Sequence, residues 1–168
     1  MAKPTSTNTS RNNRNKGMSS QSGSEASPHL LISLGDPAGI GMEVVLKALA
    51  DPSLPTALKP ILVGCRRTLI STHQRLRRQS TIPLADPADL CIDDQPLTIA
   101  VEPGQPSVAG ASAGFDWLTR SVMLLKEKQG RALVTAPIAK HLWHAAGRIY
   151  PGQTERLAEL AGSARSSM

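Results

Sequence analysis

The sequence predicts an α/β protein with a mostly parallel sheet and flanking helices, and three observations carry that reading. Short apolar runs of strand length alternate with segments of helical periodicity, the pattern of successive βα units. Only Phe115, Trp117, Trp143 and Tyr150 are aromatic, so the core must come from Leu, Val, Ile and Ala, as it does in helix-covered parallel sheets. The first apolar run breaks into a turn carrying Gly35, Pro37, Gly39 and Gly41 and resumes with a helical period, which reads strand, loop, helix.

Leu30, Leu31, Ile32 and Leu34 form a strand over 30–34, and the turn formers after it forbid its continuation. Val44, Val45, Ala48 and Leu49 then recur at the spacing of one helical face, giving a helix over 43–50. A strand follows at 61–63, with Cys65 behind it as a small packing residue or strand-end contact. Next comes a helix over 68–77, within a longer helical stretch at 66–79. A Pro- and Asp-rich connection leads to a strand at 97–101 and a glycine-containing turn through 103–110. The long helix at 113–128 presents Trp117, Val122, Met123 and Leu125 on overlapping faces, a pattern of core burial. The strand at 132–135, a Pro-marked turn and two further helices complete the order, with no internal repeat.

Charge narrows the function classes. The formal net charge is +6, but residues 1–28 hold Lys3, Arg11, Arg14 and Lys16 against Glu25 alone, so half the excess is tail. That tail is rich in Ser, Thr, Asn and Gly and lacks the apolar surface to offset chain entropy, so it reads as a disordered, solvated extension. An organelle transit peptide is the alternative, disfavoured by the missing amphipathic pattern. Arg66, Arg67, Arg75, Arg77 and Arg78 form a second basic cluster without interleaved aromatics. This fits a solvated helix face or an anion-facing patch better than DNA or RNA recognition. No apolar run approaches membrane-spanning length. Cys65 and Cys91 lack CxxC spacing and neither adjoins a candidate base, so both read as reduced thiols of a cytoplasmic protein.

The glycine spacing of residues 35–41 matches neither the dinucleotide fingerprint nor the phosphate loop. It favours an ordinary tight βα connection over the alternative, a cradle where backbone N–H groups and a helix N-terminus approach an anion. Ser33, Asp36 and Thr135 sit at strand ends, where a capping hydrogen bond is favoured over a ligand contact. Lys140 follows a strand end and suits either a phosphate, a subunit interface or plain solvation.

Two segments together suggest a family. LGDPAGIGMEVVLKAL, followed about a hundred residues later by ALVTAPIAK and YPGQTERLAELAG, resembles the 4-hydroxythreonine-4-phosphate dehydrogenases of pyridoxal phosphate biosynthesis, over residues 30–162. The resemblance implies the isocitrate/isopropylmalate dehydrogenase fold, in chains about twice as long as this one. Residues 29–168 would then be the N-terminal α/β portion of a two-domain dehydrogenase, truncated. It implies NAD- or NADP-dependent oxidation of 4-phosphooxy-L-threonine followed by decarboxylation to 3-amino-2-oxopropyl phosphate, assisted by a divalent metal (Zn, Mg or Co). A cytoplasmic homodimer is implied, with a small phosphorylated substrate and neither nucleic acid nor membrane as partner.

In that family a His-Thr pair contacts the substrate in the segment written here Gly152-Gln153-Thr154-Glu155, which makes Gln153 and Thr154 the substrate-binding candidates. Gln153 replaces the usual histidine, either as an accepted variant or as a mark of altered specificity. Its amide still donates and accepts, but it carries no charge near neutral pH, so direct ion pairing with an anionic group is lost. Thr154 also reads as the N-cap of a helix beginning at Glu155, with Gly152 supplying the turn. The family's metal-binding histidines lie beyond this segment. His141 and His144, three apart on a helix, form an incomplete donor set and are read as packing or interface residues, and His29 and His73 as isolated exposed or capping ones.

Two functions follow. The chain is the N-terminal half of the dehydrogenase, inactive alone and poorly stable as a monomer, or a non-catalytic fragment binding a phosphorylated ligand or a family subunit. Residues 163–168 show no closing pattern, which reads as a fragment, a premature stop or a frameshift.

Overall fold

The computed structural model describes residues 29–163. The readings of residues 1–28 as a solvated tail or transit segment, and of 164–168 as an unclosed end, lie outside the described residues. The elements run β1 (His29–Ser33), α1 (Gly41–Ala48), β2 (Lys59–Gly64), α2 (Arg66–Gln79), β3 (Cys91–Asp94), α3 (Val108–Lys126), β4 (Ala132–Thr135), α4 (Lys140–Ala145) and α5 (Gln153–Ala161). All sheet pairings are parallel, in the order β3-β2-β1-β4. The expected α/β class with flanking helices is the fold.

Topology follows from handedness. Right-handed crossovers carry the chain from β1 through α1 to β2 and through α2 to β3, placing both helices on one face, while the return through α3 to β4 places α3 on the other. The main core joins Leu31, Ile32 and Leu34 to Met42, Val45 and Leu46 of α1, Leu69 and Leu76 of α2, and Trp117 and Leu124 of α3. Helices α4 and α5 pack on α3.

The strand expected at 97–101 is absent, and β3 lies inside the Pro- and Asp-rich connection instead. Polar contacts fix it more than apolar burial does. Arg120 of α3 grips Asp93 through Nε at 2.9 Å and Nη2 at 3.4 Å. Asp94 Oδ1 accepts from the Arg66 N–H at 2.8 Å, supplying the cap that Cys65 does not give α2. With β2's free edge taken by Cys91–Asp94, residues 97–101 run as irregular chain, and Leu97 still packs on the core. Cys65 and Cys91 are both free, the first buried and the second exposed. Burial pushes the Cys65 thiol up, but hydrogen bonds from the Thr68 side chain and from the Thr68, Leu97 and Arg67 backbone outweigh it and leave its pKa lowered.

Helix α3 begins five residues before the expected start, because Ser107 caps it by accepting from the Gly110 N–H at 3.1 Å. The early start places Gly110 and Gly114 against the glycine-rich turn: a Cβ at Gly114 would stand 2.8 Å from the Gly35 carbonyl oxygen. Trp117 and Val122 are buried as expected, whereas Met123 is 48% exposed on the opposite side of the helix.

A second core holds the last two helices. Ala111, Phe115 and Leu118 of α3 bury Trp143, with Phe115 and Trp143 edge to face at 5.0 Å. The guanidinium groups of Arg148 and Arg156 lie over Phe115 at 4.7 and 4.8 Å. Arg156 also donates to Glu159 at 2.8 Å, to the Tyr150 hydroxyl at 3.1 Å and to the Thr119 hydroxyl at 3.3 Å, and Tyr150 donates to Glu159. This network sets the position of α5 on α3.

Two predictions follow from these contacts. Gly35 has φ +71°, and a Cβ there would stand 2.3 Å from the Pro137 carbonyl oxygen, so Gly35→Ala should cost about 3 kcal/mol in urea denaturation. Gly104→Ala, at φ +80° with nothing within 4 Å, should cost about 1 kcal/mol. Tyr150 first, and Arg156 second, hold the Glu159 carboxyl below its ordinary value of 4.5. A depressed carboxyl stabilises the fold above its unfolded pKa and loses that contribution as pH falls through the folded one. Thermal melts of Glu159→Gln should therefore lie below the parent at neutral pH and converge with it below pH 4.5.

Candidate active site

Strands β1 and β4 are parallel neighbours whose following helices leave toward opposite faces of the sheet, which opens a crevice beyond their C-terminal ends. Both sequence motifs end there. The Ala136 N–H donates to the Ser33 carbonyl at 2.9 Å and the Asp36 N–H to the Pro137 carbonyl at 3.0 Å, so the two turns are stitched together by backbone. A Cβ at Gly41 would stand 2.4 Å from the Leu34 carbonyl oxygen and 2.9 Å from the Ala136 Cβ. The glycines thus serve the close approach of one turn to the other.

Beside this seam lies a cleft of about 550 Å³. Asp36, Gly39, Ile40 and Glu43 form one wall, Pro137, Ile138 and Ala139 the second, and Pro103 with Gly104 the third, with Arg75 reaching in from α2. The third wall is held by the Gly104 N–H, which donates to the Ala38 carbonyl at 2.8 Å. Asp36 is buried and its Oδ1 accepts from the Ala38 N–H at 2.9 Å, so it caps the turn as the sequence suggested. Glu43 pairs with Lys47 at 2.7 Å. Sequence reasoning missed Arg75 as a wall of this cleft; its membership of a basic cluster was the available signal.

Gln153 is the first residue of α5, and its Nε2 donates to the Ala136 carbonyl at 3.0 Å. Its Oε1 is buried and receives no hydrogen bond from the protein. The structure therefore ties Gln153 to the turn after β4. Thr154 sits in the first turn of α5, partly buried, and does not line the cleft. The N-cap position belongs to Gly152, not Thr154, because the helix starts two residues earlier than expected and the cap is made without a side chain. Lys140 Nζ and Glu155 Oε2 each come within 3.4 Å of where a Gly152 Cβ would stand, so a charged pair flanks the entry to α5.

The histidines go elsewhere. His144 Nε2 bonds the Tyr150 carbonyl at 2.8 Å, His29 Nδ1 bonds the Lys59 carbonyl at 3.2 Å, and His141 is exposed. His73 is partly buried on α2. Among the described residues no group of three or more His, Cys, Asp or Glu side chains converges. Among them, too, no helix is long and apolar enough to cross a membrane.

Comparison with known proteins gives these features a family. The profile described as "Pyridoxal phosphate biosynthetic protein PdxA" matches residues 56–168. A 4-hydroxythreonine-4-phosphate dehydrogenase of Synechococcus sp. (strain RCC307) is 55% identical over 140 residues, covering 83% of this chain and 42% of the relative. The enzyme of the same name from Synechococcus sp. (strain JA-3-3Ab) is 44% identical over 144 residues, covering 84% of this chain and 41% of the relative. A crystal structure of a 4-hydroxythreonine-4-phosphate dehydrogenase from Burkholderia phymatum superposes with a TM-score of 0.72 at 29% identity, covering 84% of this chain and 46% of that one. The chain belongs to the PdxA family and spans less than half the length of these relatives.

The Gln153 contact makes a prediction. Gln153→Glu turns the donor facing the Ala136 carbonyl into an acceptor and should destabilise the fold by about 2 kcal/mol or more. Gln153→His keeps a ring N–H for that carbonyl and should cost less than about 1 kcal/mol. Urea denaturation of the two variants reads the difference.

Proposed function

We propose that this chain supplies the N-terminal α/β portion, residues 29–168, of a two-domain 4-hydroxythreonine-4-phosphate dehydrogenase. The reaction is NAD- or NADP-dependent oxidation of 4-phosphooxy-L-threonine, followed by decarboxylation to 3-amino-2-oxopropyl phosphate. The single observation that carries the reading is the meeting of the two family motifs at the β1 and β4 ends, with Gln153 bonded to the Ala136 carbonyl at that seam. We place the working enzyme in the cytoplasm as a homodimer.

Gln153 and Thr154 are the substrate contacts. The Ala136 carbonyl orients the Gln153 amide so that Oε1 faces away from it as an acceptor, suited to a hydroxyl or ammonium group of the substrate. The Thr154 hydroxyl adds a second polar contact from the same turn of α5. The crevice at the strand ends suits a nicotinamide nucleotide: Ile40, Ile138 and Ala139 offer apolar surface for a ring, and Arg75 offers a cation for phosphate, set against the carboxylates of Asp36 and Glu43 on the facing wall. When bound, that cofactor accepts the hydride. The described residues do not offer a donor set for the divalent metal, so no step is assigned to it through them.

Reduced cofactor formation from 4-phosphooxy-L-threonine with added divalent metal tests the proposal. We expect no turnover from the 168-residue chain alone and turnover from a version extended through the downstream reading frame. Silence from both would leave the non-catalytic binding reading, to be followed by ligand titration.

A further inference from the structure

A larger cleft adjoins the crevice described above and shares Arg75 and Pro103 with it. It has a volume of about 770 Å³ between the outer face of α2 and residues 98–103. Three guanidinium side chains line it, those of Arg67, Arg75 and Arg78, against the single carboxylate of Glu102. These arginines lie on one helical face together with Ser71 and Gln74, and Thr68 and Thr98 add hydroxyl donors. From Arg67 to Arg78 the helix rises about 16 Å, longer than a single phosphate and matched to an extended anion.

Arg67 Nη2 donates to the Leu97 carbonyl at 3.3 Å, but other hydrogen-bonding capacity in the cleft is unused. Among the described residues, the N–H groups of Thr98, Ile99, Ala100 and Val101 donate to no backbone carbonyl, because this segment failed to become a strand. The Arg75 Nε is buried without a partner, and its Nη1 makes only a 3.3 Å contact to Gln79. An excess of guanidinium groups, one of them with a buried unpartnered Nε, is a donor array for phosphate oxygens. Ile99, Val101 and Pro37 add apolar surface for a ring or sugar. A solvated arginine face would need no opposing wall, and nucleic-acid binding would want stacking aromatics, of which the cleft has none.

We infer that this cleft binds a small polyphosphorylated ligand of nucleotide size. The inference is separable from the dehydrogenase reading: Arg75 borders both clefts, whereas Arg67, Arg78 and Glu102 line this one and not the crevice.

Calorimetric titration of the whole chain with ADP, and separately with inorganic tripolyphosphate, tests it. We expect saturable binding of one ligand per chain that weakens as salt rises. Arg75→Gln and Arg78→Gln should each weaken it about tenfold, the loss expected for one charge-assisted hydrogen bond. Glu102→Gln should tighten it about threefold by removing the one repulsive charge. That gain cannot arise from unfolding, so it keeps the test sound if an arginine variant misfolds, which circular dichroism would reveal. Absence of saturable binding, equal affinity in all variants, or binding of an RNA oligonucleotide but neither phosphate probe would overturn the inference.

Discussion

The structure depends on the backbone seam between the turn after β1 and the turn after β4. The Gly35 position leaves 2.3 Å between a hypothetical Cβ and the Pro137 carbonyl oxygen, so only glycine lets the two turns share hydrogen bonds. That contact fixes β4 against β1, and with it the side of the sheet on which α3 must return. Because Gly114 of α3 rests on the Gly35 carbonyl, the same turn also sets the depth of the longest helix. The Phe115 cluster then carries that placement to α4 and α5, and so to Gln153. Gln153, late in the described chain, is thus positioned through a chain of contacts that begins at residue 35.

Where the sequence could be read, periodicity matched the elements, whereas burial matched only in part: Val44, Met123 and Val134 are 47%, 48% and 49% exposed. Leu30, Leu31, Ile32 and Leu34 are apolar because β1 is central and covered on both faces, and 132–135 reads as a strand for its Leu, Val and Thr. Residues 91–94 could not be read this way, since Cys-Ile-Asp-Asp is a strand held by Arg120 and by the N-terminus of α2, contacts made across long separations. Apolar content misled at 97–101, because pairing to β2 depends on an available backbone edge and that edge was already filled. The early start of α3 was hidden by its glycines, which lower helix propensity yet are needed for close packing.

The candidate site was legible only in part and for a similar reason. Glycine spacing at 35–41 looked compatible with anion binding, but at Gly35 and Gly41 the space freed by the missing Cβ is filled by protein. Asp36 was legible because an aspartate two residues before an open N–H forms a local turn. Pro103 was not, since it reaches the crevice from a segment distant in sequence, and Arg75 was marked only as one of a basic cluster, which does not tell where it reaches. Gln153 and Thr154 came from family likeness rather than from any pattern that composition or spacing could supply.

A glutamine at 153, where the family resemblance implies a histidine, has a physical consequence beyond the loss of charge. A glutamine whose Nε2 is committed to a backbone carbonyl has its amide orientation fixed, so its remaining atom, Oε1, can only accept. A histidine bonded to the same carbonyl would present its second ring nitrogen as acceptor or donor according to pH. The glutamine removes that choice and turns the position into a permanent acceptor, buried and without a protein partner. Leaving such an oxygen unpaired costs about 1–3 kcal/mol, so a ligand that brings a donor there recovers that cost on binding. In the proposed substrate role, such an acceptor would favour a hydroxyl or ammonium over phosphate or carboxylate oxygen, leaving phosphate recognition to cationic groups elsewhere.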